Sequence, residues 1–259
     1  MNPQGFAPFF VKLPADSSLA IRHGTVFVVA VKLAYCTNIH PAESWDETFA
    51  ALQRYALAVR DEVQNDSPLL RPFPLAPRLS ARAARELLRG DALPRFRDWL
   101  AQEHCEVFTI NGFPYGAFHD VEVKKMVYAP DWTQQERLDY TLDLFRILVA
   151  LLPPGAEGSV STSPGSHRDF QPDPLRMFAL LEQCAEGIEE LVQQHQGDLH
   201  LGMEPEPFGY FENTQESIDF FASFWEKSSQ PQRLRERIGI NYDTCHFAIV
   251  FEDDLSSLQ

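Results

Sequence analysis

Three residues near the end of the chain have the types and spacing to do chemistry together. Glu204 stands in "HLGMEPEPFG" (200–209), and Asp243 and His246 stand three apart in "GINYDTCHFA" (239–248). In each stretch a short apolar run gives out at the acidic residue, and Pro205 turns the backbone out of any strand ladder directly after Glu204. Two carboxylates at neighbouring strand ends repel one another unless a cation lies between them. A set of oxygens with one imidazole suits Mg2+, Mn2+ or Zn2+, so Glu204, Asp243 and His246 are the expected ligands of a divalent metal. His246 fits a second role as well, a hydrogen bond to a substrate hydroxyl. Glu204 could double as an acid–base group, which makes Glu204 and His246 the candidate catalytic residues. The alternative is that both acids only cap neighbouring loops or helices.

A second tier of candidates follows other strands. His40 and His119 each lie on a loop after a strand, Asn111 ends one, and Tyr115 lies in the loop that Asn111 begins. These four are the expected substrate-binding residues, with simple loop packing as the alternative. The loop "NGFPYGAFHDVEVKKMVYAPDW" (111–132) is long for a strand-to-helix connection, and loops of that length are commonly lids or binding loops. Phe113, Tyr115 and Phe118 could stack on a substrate ring or seal the top of the fold. Lys124 and Lys125 read as a solvated face.

The elements that must hold these residues alternate. "VKLAYCT" (31–37) is a strand by length and apolar content. Ser44 and Glu47 then form a capping box, and Trp45, Phe49, Leu52, Ala56, Val59 and Val63 recur at helical spacing. A proline-burdened strand at 73–79 precedes helical stretches over 80–103, and strand 106–111 precedes the long loop. A helix over 134–152 follows, with Thr133 and Glu136 as its capping box and Pro153, Pro154 and Gly155 as its stop. Strand 157–162 leads to a helix opened by Asp173 and Pro174, and strand 198–204 to a helix over 215–227 capped by Thr214. Strand 238–243 is the sixth.

Strands alternating with amphipathic helices predict an α/β fold with parallel strands. A doubly wound sheet would carry a Gly-rich phosphate turn after its first strand, and "CTNIHPAES" has none. Polar residues instead follow strand after strand, as at Asn38, His40, Asn111, Ser161, Thr162, Glu204 and Asp243, which is the pattern of a (β/α)8 TIM barrel. Six strands are counted where a barrel has eight. Either the count is short, or the chain lacks its last two βα units; the reading adopted is the second, with a barrel domain over 31–259 and an extension outside the fold over 1–30.

Composition narrows the partners. The chain has 259 residues, 44% of them hydrophobic, and a formal net charge of -15, which disfavours nucleic acid and an anionic membrane surface. The apolar run Val26–Val31 is interrupted by Lys32, far short of the ~20 residues of a membrane span, so neither membrane insertion nor a secretory signal is expected. Cys36, Cys105, Cys184 and Cys245 are dispersed without metal-binding spacing and read as small buried thiols of a cytoplasmic protein. A small-molecule metabolite is the expected partner.

"NYDTCH" after a "MEPEP" strand resembles the xylose-isomerase-like TIM barrels, the superfamily of sugar isomerases, sugar epimerases and endonuclease IV. Within it, "LAYCTNIHPAESWDETFAALQRY", "RLSARAARELL", "VFTINGFPYGAFH" and "YDTCHFAIVFED" look like the proteins called EboE, described as metabolite-traffic proteins; the likeness runs from about Lys32 to the C-terminus. The resemblance implies that Glu204 and Asp243 match metal-ligating positions. It implies that His246 matches a residue that contacts substrate in epimerases and metal in endonucleases. Further ligands in those relatives come from strands beyond the sixth. Three functions are thereby expected: a metal-dependent isomerase or epimerase acting on a sugar or similar polyol, a protein of a secondary-metabolite pathway that binds without turnover, or an inactive truncated barrel. An endonuclease would need a basic face that this charge does not supply.

Overall fold

The computed structural model describes residues 32–66, 72–117, 124–253 and 257. The proposed extension over 1–30, the Val26–Val31 run, Phe118 and His119 lie outside the described residues.

Within each of two sheets, every strand pairs in parallel with the next in the chain. One sheet runs β1 (Tyr35–Cys36), β2 (Phe73–Ala76) and β3 (Cys105–Val107); the other runs β4 (Thr109–Asn111), β5 (Gly158–Thr162), β6 (Leu199–Met203) and β7 (Ile238–Ile240). Seven strands are thus found among the described residues where six were expected. The extra one arises because strand 106–111 breaks at Phe108, whose carbonyl accepts a bond from Ser159 N–H at 3.1 Å. A bridge between Arg78 and Asn111 rejoins the halves, so β3 and β4 share one position. The result is a sequentially ordered parallel sheet with six strand positions.

Burial raises the Cys36 thiol at the end of β1 to about 11, and the negative charge of Glu204 and Asp243 adds to the rise. The fold is the α/β arrangement of a TIM barrel over six strand positions. Among the described residues β1 and β7 do not pair with each other.

Helices cover the outer face. Ser44 Oγ accepts from Glu47 N–H at 3.2 Å and Glu47 Oε2 accepts from Ser44 N–H at 2.9 Å, which opens α1 (Trp45–Ala51) as the capping box predicts. The helix continues through a π-helical turn at Leu52–Ala56 into α2 (Leu57–Asp66). α3 (Ala81–Leu87) and α4 (Ala92–Gln102) follow β2, and α5 (Gln135–Leu151) follows the long loop. α6 (Pro174–His195) and α7 (Thr214–Lys227) follow β5 and β6, α8 (Pro231–Arg237) precedes β7, and α9 (Thr244–Ile249) follows it. Two expected caps are corrected. Thr133 does not cap α5: Gln134 holds the N-cap position without a side-chain bond, because the Thr133 hydroxyl and N–H both donate to Asp131 Oδ1 in a turn just before the helix. Asn213, not Thr214, caps α7 by accepting from Glu216 N–H at 2.9 Å.

Two fully buried arginines hold the loops at the C-terminal ends of the strands. Arg137 of α5 donates to the carbonyls of Pro130, Gly112 and Phe113 at 2.8, 3.1 and 2.9 Å, pinning both roots of the long loop. Burial lowers its pKa only to about 10, so it remains charged at neutral pH. Arg78, just past β2, donates to Ala42 O, Glu43 Oε1 and Gly116 O and so ties the first loop to the long one. Next to Asn111, a Cβ on Gly112 would lie 2.5 Å from Leu144 Cδ1 and 2.8 Å from Ser161 O, so only glycine lets these layers meet.

Replacing Arg137 by Leu leaves three buried carbonyls unpaired and is expected to cost roughly 3 kcal/mol or more in denaturant unfolding. Ser44→Ala is expected to cost about 1 kcal/mol. The N–H groups of Ser44 and Glu43 hold the Glu47 carboxyl down to about 2, from an ordinary 4.5. A depressed acid stabilises above its unfolded pKa and ceases to as pH falls through the folded one. The melting-temperature deficit of Glu47→Gln should therefore be full at pH 6 and shrink between pH 4.5 and 2.

Candidate functional site

The period of two along β6 decides which way its side chains face. Leu199, Leu201 and Met203 are fully buried in the apolar layer beneath the helices. His200, Gly202 and Glu204 therefore face the inner side. Register carries the same alternation to the neighbours. Thr162 pairs with Met203 and Met203 with Ile240, while Glu204 N–H bonds Thr162 O and Asn241 N–H bonds Met203 O. Ser163, Glu204 and Asn241 thus form one row across the ends of β5, β6 and β7, above a row of Asn111, Ser161, Gly202 and Gly239. TIM-barrel interiors are ordinarily filled by bulky branched side chains. Here these rows are small and polar.

Glu204 is 6% exposed and Asn241 and Ser163 are fully buried. Asn241 Nδ2 donates to Glu204 Oε2 at 2.6 Å, leaving Oε1 on the side of His246, 3.7 Å from its Nδ1. Burial, reinforced by Asp243 and Glu206 and opposed by His246 and the Asn241 bond, pushes the Glu204 carboxyl up to about 8. Asp243 opens α9 by accepting from Cys245 N–H at 2.8 Å through Oδ1, so Oδ2 is left for His246 Nε2, 3.6 Å away. Ligand atoms of Glu204, Asp243 and His246 all lie within 4.8 Å of one another. The expected triad is brought together.

His246 is held at both nitrogens. Nδ1 donates to Pro205 O at 2.9 Å, and Nε2 lies 2.9 Å from Glu206 Oε2. Burial alone would lower its pKa, but the bond and charge of Glu206, then Glu204 and Asp243, outweigh it and raise the group to about 9. Glu206 was not among the sequence candidates, nor was Asn241; the second acid of "MEPEP" and the residue two before Asp243 were the available signals. Cys36, read from sequence as an ordinary thiol, ends β1 within the field of Glu204 and Asp243. At the rim, Tyr128 donates to Pro207 O at 2.9 Å and meets His167 edge-on, and His167 stacks at 6.4 Å on Phe208. Phe208 is 64% exposed at φ 70°, a left-handed conformation that costs a bulky residue energy.

The proposed substrate contacts have other partners. His40 Nε2 lies 2.9 Å from Tyr35 Oη and its ring stacks on Tyr55 at 4.7 Å. Asn111 is buried on the inner face, its Oδ1 accepting from Phe113 N–H. Tyr115 accepts from Arg85 at 3.3 Å and packs edge-on against Tyr140. A separate groove of about 370 Å³, walled by Trp45, Phe49, Phe96 and Trp99, lies between α1 and α4 on the helical layer, away from the strand ends. No described helix is long and apolar enough to cross a membrane.

The donor set fits a divalent cation: two carboxylates and an imidazole whose far nitrogen is fixed by a backbone carbonyl. Asn241 Oδ1, Ser161 Oγ and Ser163 Oγ are buried beside it without a protein partner, which marks the place as one that takes a further polar group. No protein-family model and no curated protein matches the chain. Among solved structures it is similar to the probable 3-DHS dehydratase AsbF involved in petrobactin synthesis from Bacillus anthracis, at 11% identity and TM-score 0.41, over 71% of this chain and 58% of that one. It is also similar to the IolI protein with a binding zinc atom, at 12% identity and TM-score 0.46, over 78% of this chain and 62% of that one. The chain thus spans 58% and 62% of the length of these two proteins.

In metal-free protein, Glu204 and His246 both have folded pKa values above their unfolded ones, so both contribute stability at low pH that is lost as pH rises. The windows are 4.5 to about 8 for Glu204 and 6.5 to about 9 for His246. Thermal unfolding in chelator should show a melting temperature falling between pH 5 and 9. Glu204→Gln should flatten the lower part of that slope and match or exceed the wild type at pH 8.

Proposed function

We propose that the chain binds a divalent metal ion, Mn2+, Mg2+ or Zn2+, through Glu204, Asp243 and His246, and presents it to a polyhydroxylated small molecule at the strand ends. One observation carries the reading. Three ligand atoms converge within 4.8 Å beside buried, unpartnered oxygens of Ser161, Ser163 and Asn241. When bound, such an ion polarises a carbonyl and its neighbouring hydroxyl. The rest of the chemistry belongs to the chain. Glu204, with Oε2 held by Asn241 and Oε1 on the His246 side, is the group that would take and give the proton. Asn241 fixes which of its oxygens is free to do so. The serine hydroxyls donate or accept as a polyol requires, and Gly202 and Gly239 leave room where other barrels have aliphatic bulk.

The reaction class this supports is proton transfer between adjacent carbons, as in a sugar isomerase or epimerase. His40, Asn111, Tyr115 and His119 remain proposed substrate contacts. The resemblance of the long motifs to those of the EboE proteins favours a second reading, a cytoplasmic protein of a secondary-metabolite pathway that binds its metabolite without turnover. Its four free cysteines suit a reducing compartment.

Thermal unfolding of the 259-residue chain with each metal tests the site. A ligand bound only by the folded state adds about 2.7 kcal/mol at a hundredfold excess over its Kd. Mn2+ or Zn2+ should raise the melting temperature, and Asp243→Ala should abolish the rise; a folded wild type that never shifts sinks the reading. Incubation of the metal-loaded protein with ketoses and polyols in D2O then separates the two functions. Deuterium gained at carbon means an isomerase or epimerase, whereas binding without exchange means a carrier.

A further inference from the structure

We propose that Phe208 is a substrate-stacking residue, an aromatic platform at the mouth of the Glu204 site that takes a flat apolar group carried by the polyhydroxylated substrate; this rests on the reading of that site given above. The backbone singles the residue out. Gly209 N–H bonds Glu206 O at 2.8 Å, which closes a four-residue turn with Pro207 second and Phe208 third. Proline suits the second place of such a turn, and a positive φ in the third ordinarily belongs to glycine or asparagine. Phe208 holds φ 70° while 64% exposed, although a glycine stands next in the chain. Phe251 is the other phenylalanine with positive φ among the described residues, but it directly follows the C-cap of α9, where left-handed backbone is routine. No helix ends at Phe208.

The turn is braced on both sides. Phe208 N–H donates to Glu212 Oε2 at 2.9 Å and its carbonyl accepts from Arg168 N–H at 3.0 Å, while Arg168 and Glu212 are ion-paired at 2.9 Å. A bridge between His167 and Gly209 joins the loops after β5 and β6, and the His167 ring lies within 18° of parallel to that of Phe208. The chain itself fixes the place. Pro205 O takes the bond from His246 and Pro207 O the bond from Tyr128, so the segment is pinned to the site at one carbonyl and to the rim at the other. Glu206 Oε2 lies 2.9 Å from His246 Nε2. Two residues of chain span at most about 7 Å, so Phe208 starts at the edge of the same site. A phenyl ring neither donates nor accepts a conventional hydrogen bond; it offers a π face, which complements a flat apolar group and leaves the hydroxyls to Ser161, Ser163 and Asn241.

A matched pair of probes tests this on the full chain: phenyl and methyl β-D-glucopyranoside, which differ only in the ring. Both would be titrated by calorimetry and by saturation-transfer NMR, with and without Mn2+, and circular dichroism would check folding. The wild type should bind the phenyl glucoside roughly fivefold or more tightly, with the strongest transfer at the ring protons. Phe208→Gly suits the turn and should keep Mn2+ affinity but lose the preference; Phe208→Tyr keeps the ring and should keep the preference. Should Phe208→Gly not fold, Phe208→Asn, which tolerates the same φ, takes its place. A wild type that does not favour the phenyl glucoside, or a preference that survives Phe208→Gly, overturns the platform. Mn2+ binding with no phenyl preference leaves the metal reading standing alone. A phenyl preference that needs Phe208 in a protein that binds no Mn2+ overturns the metal reading and keeps the platform.

Discussion

A carboxyl group cut off from water, with two more carboxylates and an imidazole around it, sets the terms for the rest of this molecule. Burying Glu204 at the end of β6 costs solvation that no arginine or lysine among the described residues restores by an ion pair. The structure offsets part of the cost locally, through the Asn241 bond and the cationic character of His246. The remaining charge balance asks for something the side chains alone do not supply. Everything around the strand ends serves to keep this arrangement from relaxing: the prolines after β6, the helix that starts at Asp243, and the buried arginines that stop the loops from folding inward.

The arginines show how rigidity is delivered without a packed centre. A barrel whose inner rows are serine, glycine and asparagine cannot hold its loops by apolar contact. Arg78 and Arg137 do it with directed bonds to carbonyls, and each bond is strong because it is made away from water. The apolar layer, by contrast, lies wholly between sheet and helices, where Leu199, Leu201, Met203 and the α5 and α6 leucines meet. Stability and binding are thereby assigned to opposite faces of the same strands.

Much of this was legible in the sequence, and the exceptions have physical causes. Ser44 and Glu47 could be read because a capping box is local, and the strand-end position of Glu204 because proline marks it; the strand expected over 238–243 stops at Ile240, and Asp243 instead caps α9. Asn213 was missed as a cap because Thr214 stands next to it and local rules rank such neighbours closely, and α5 took no side-chain cap because Thr133 is spent on Asp131. The break at Phe108 was invisible because it depends on which neighbour takes a carbonyl, a property of two sheets and not of six residues. Arg137 carries no sequence signal of burial; only the long loop returning over it makes it interior. Glu206 and Asn241 belong to the site through register and ring orientation, which no spacing within one segment reveals.

The segment after α9 has an effect beyond its size. Glu252 accepts from the Thr214 N–H at 3.1 Å and from the Thr214 hydroxyl, at the start of the helix that follows β6. Its own N–H bonds back to Phe247 O. Asp243 and His246 are therefore fastened to the Glu204 side of the site by a clamp that involves none of the three. The two halves of the centre are joined before anything arrives to join them. An ion bound there would meet side chains already held in place, so little ordering entropy would weigh against its affinity.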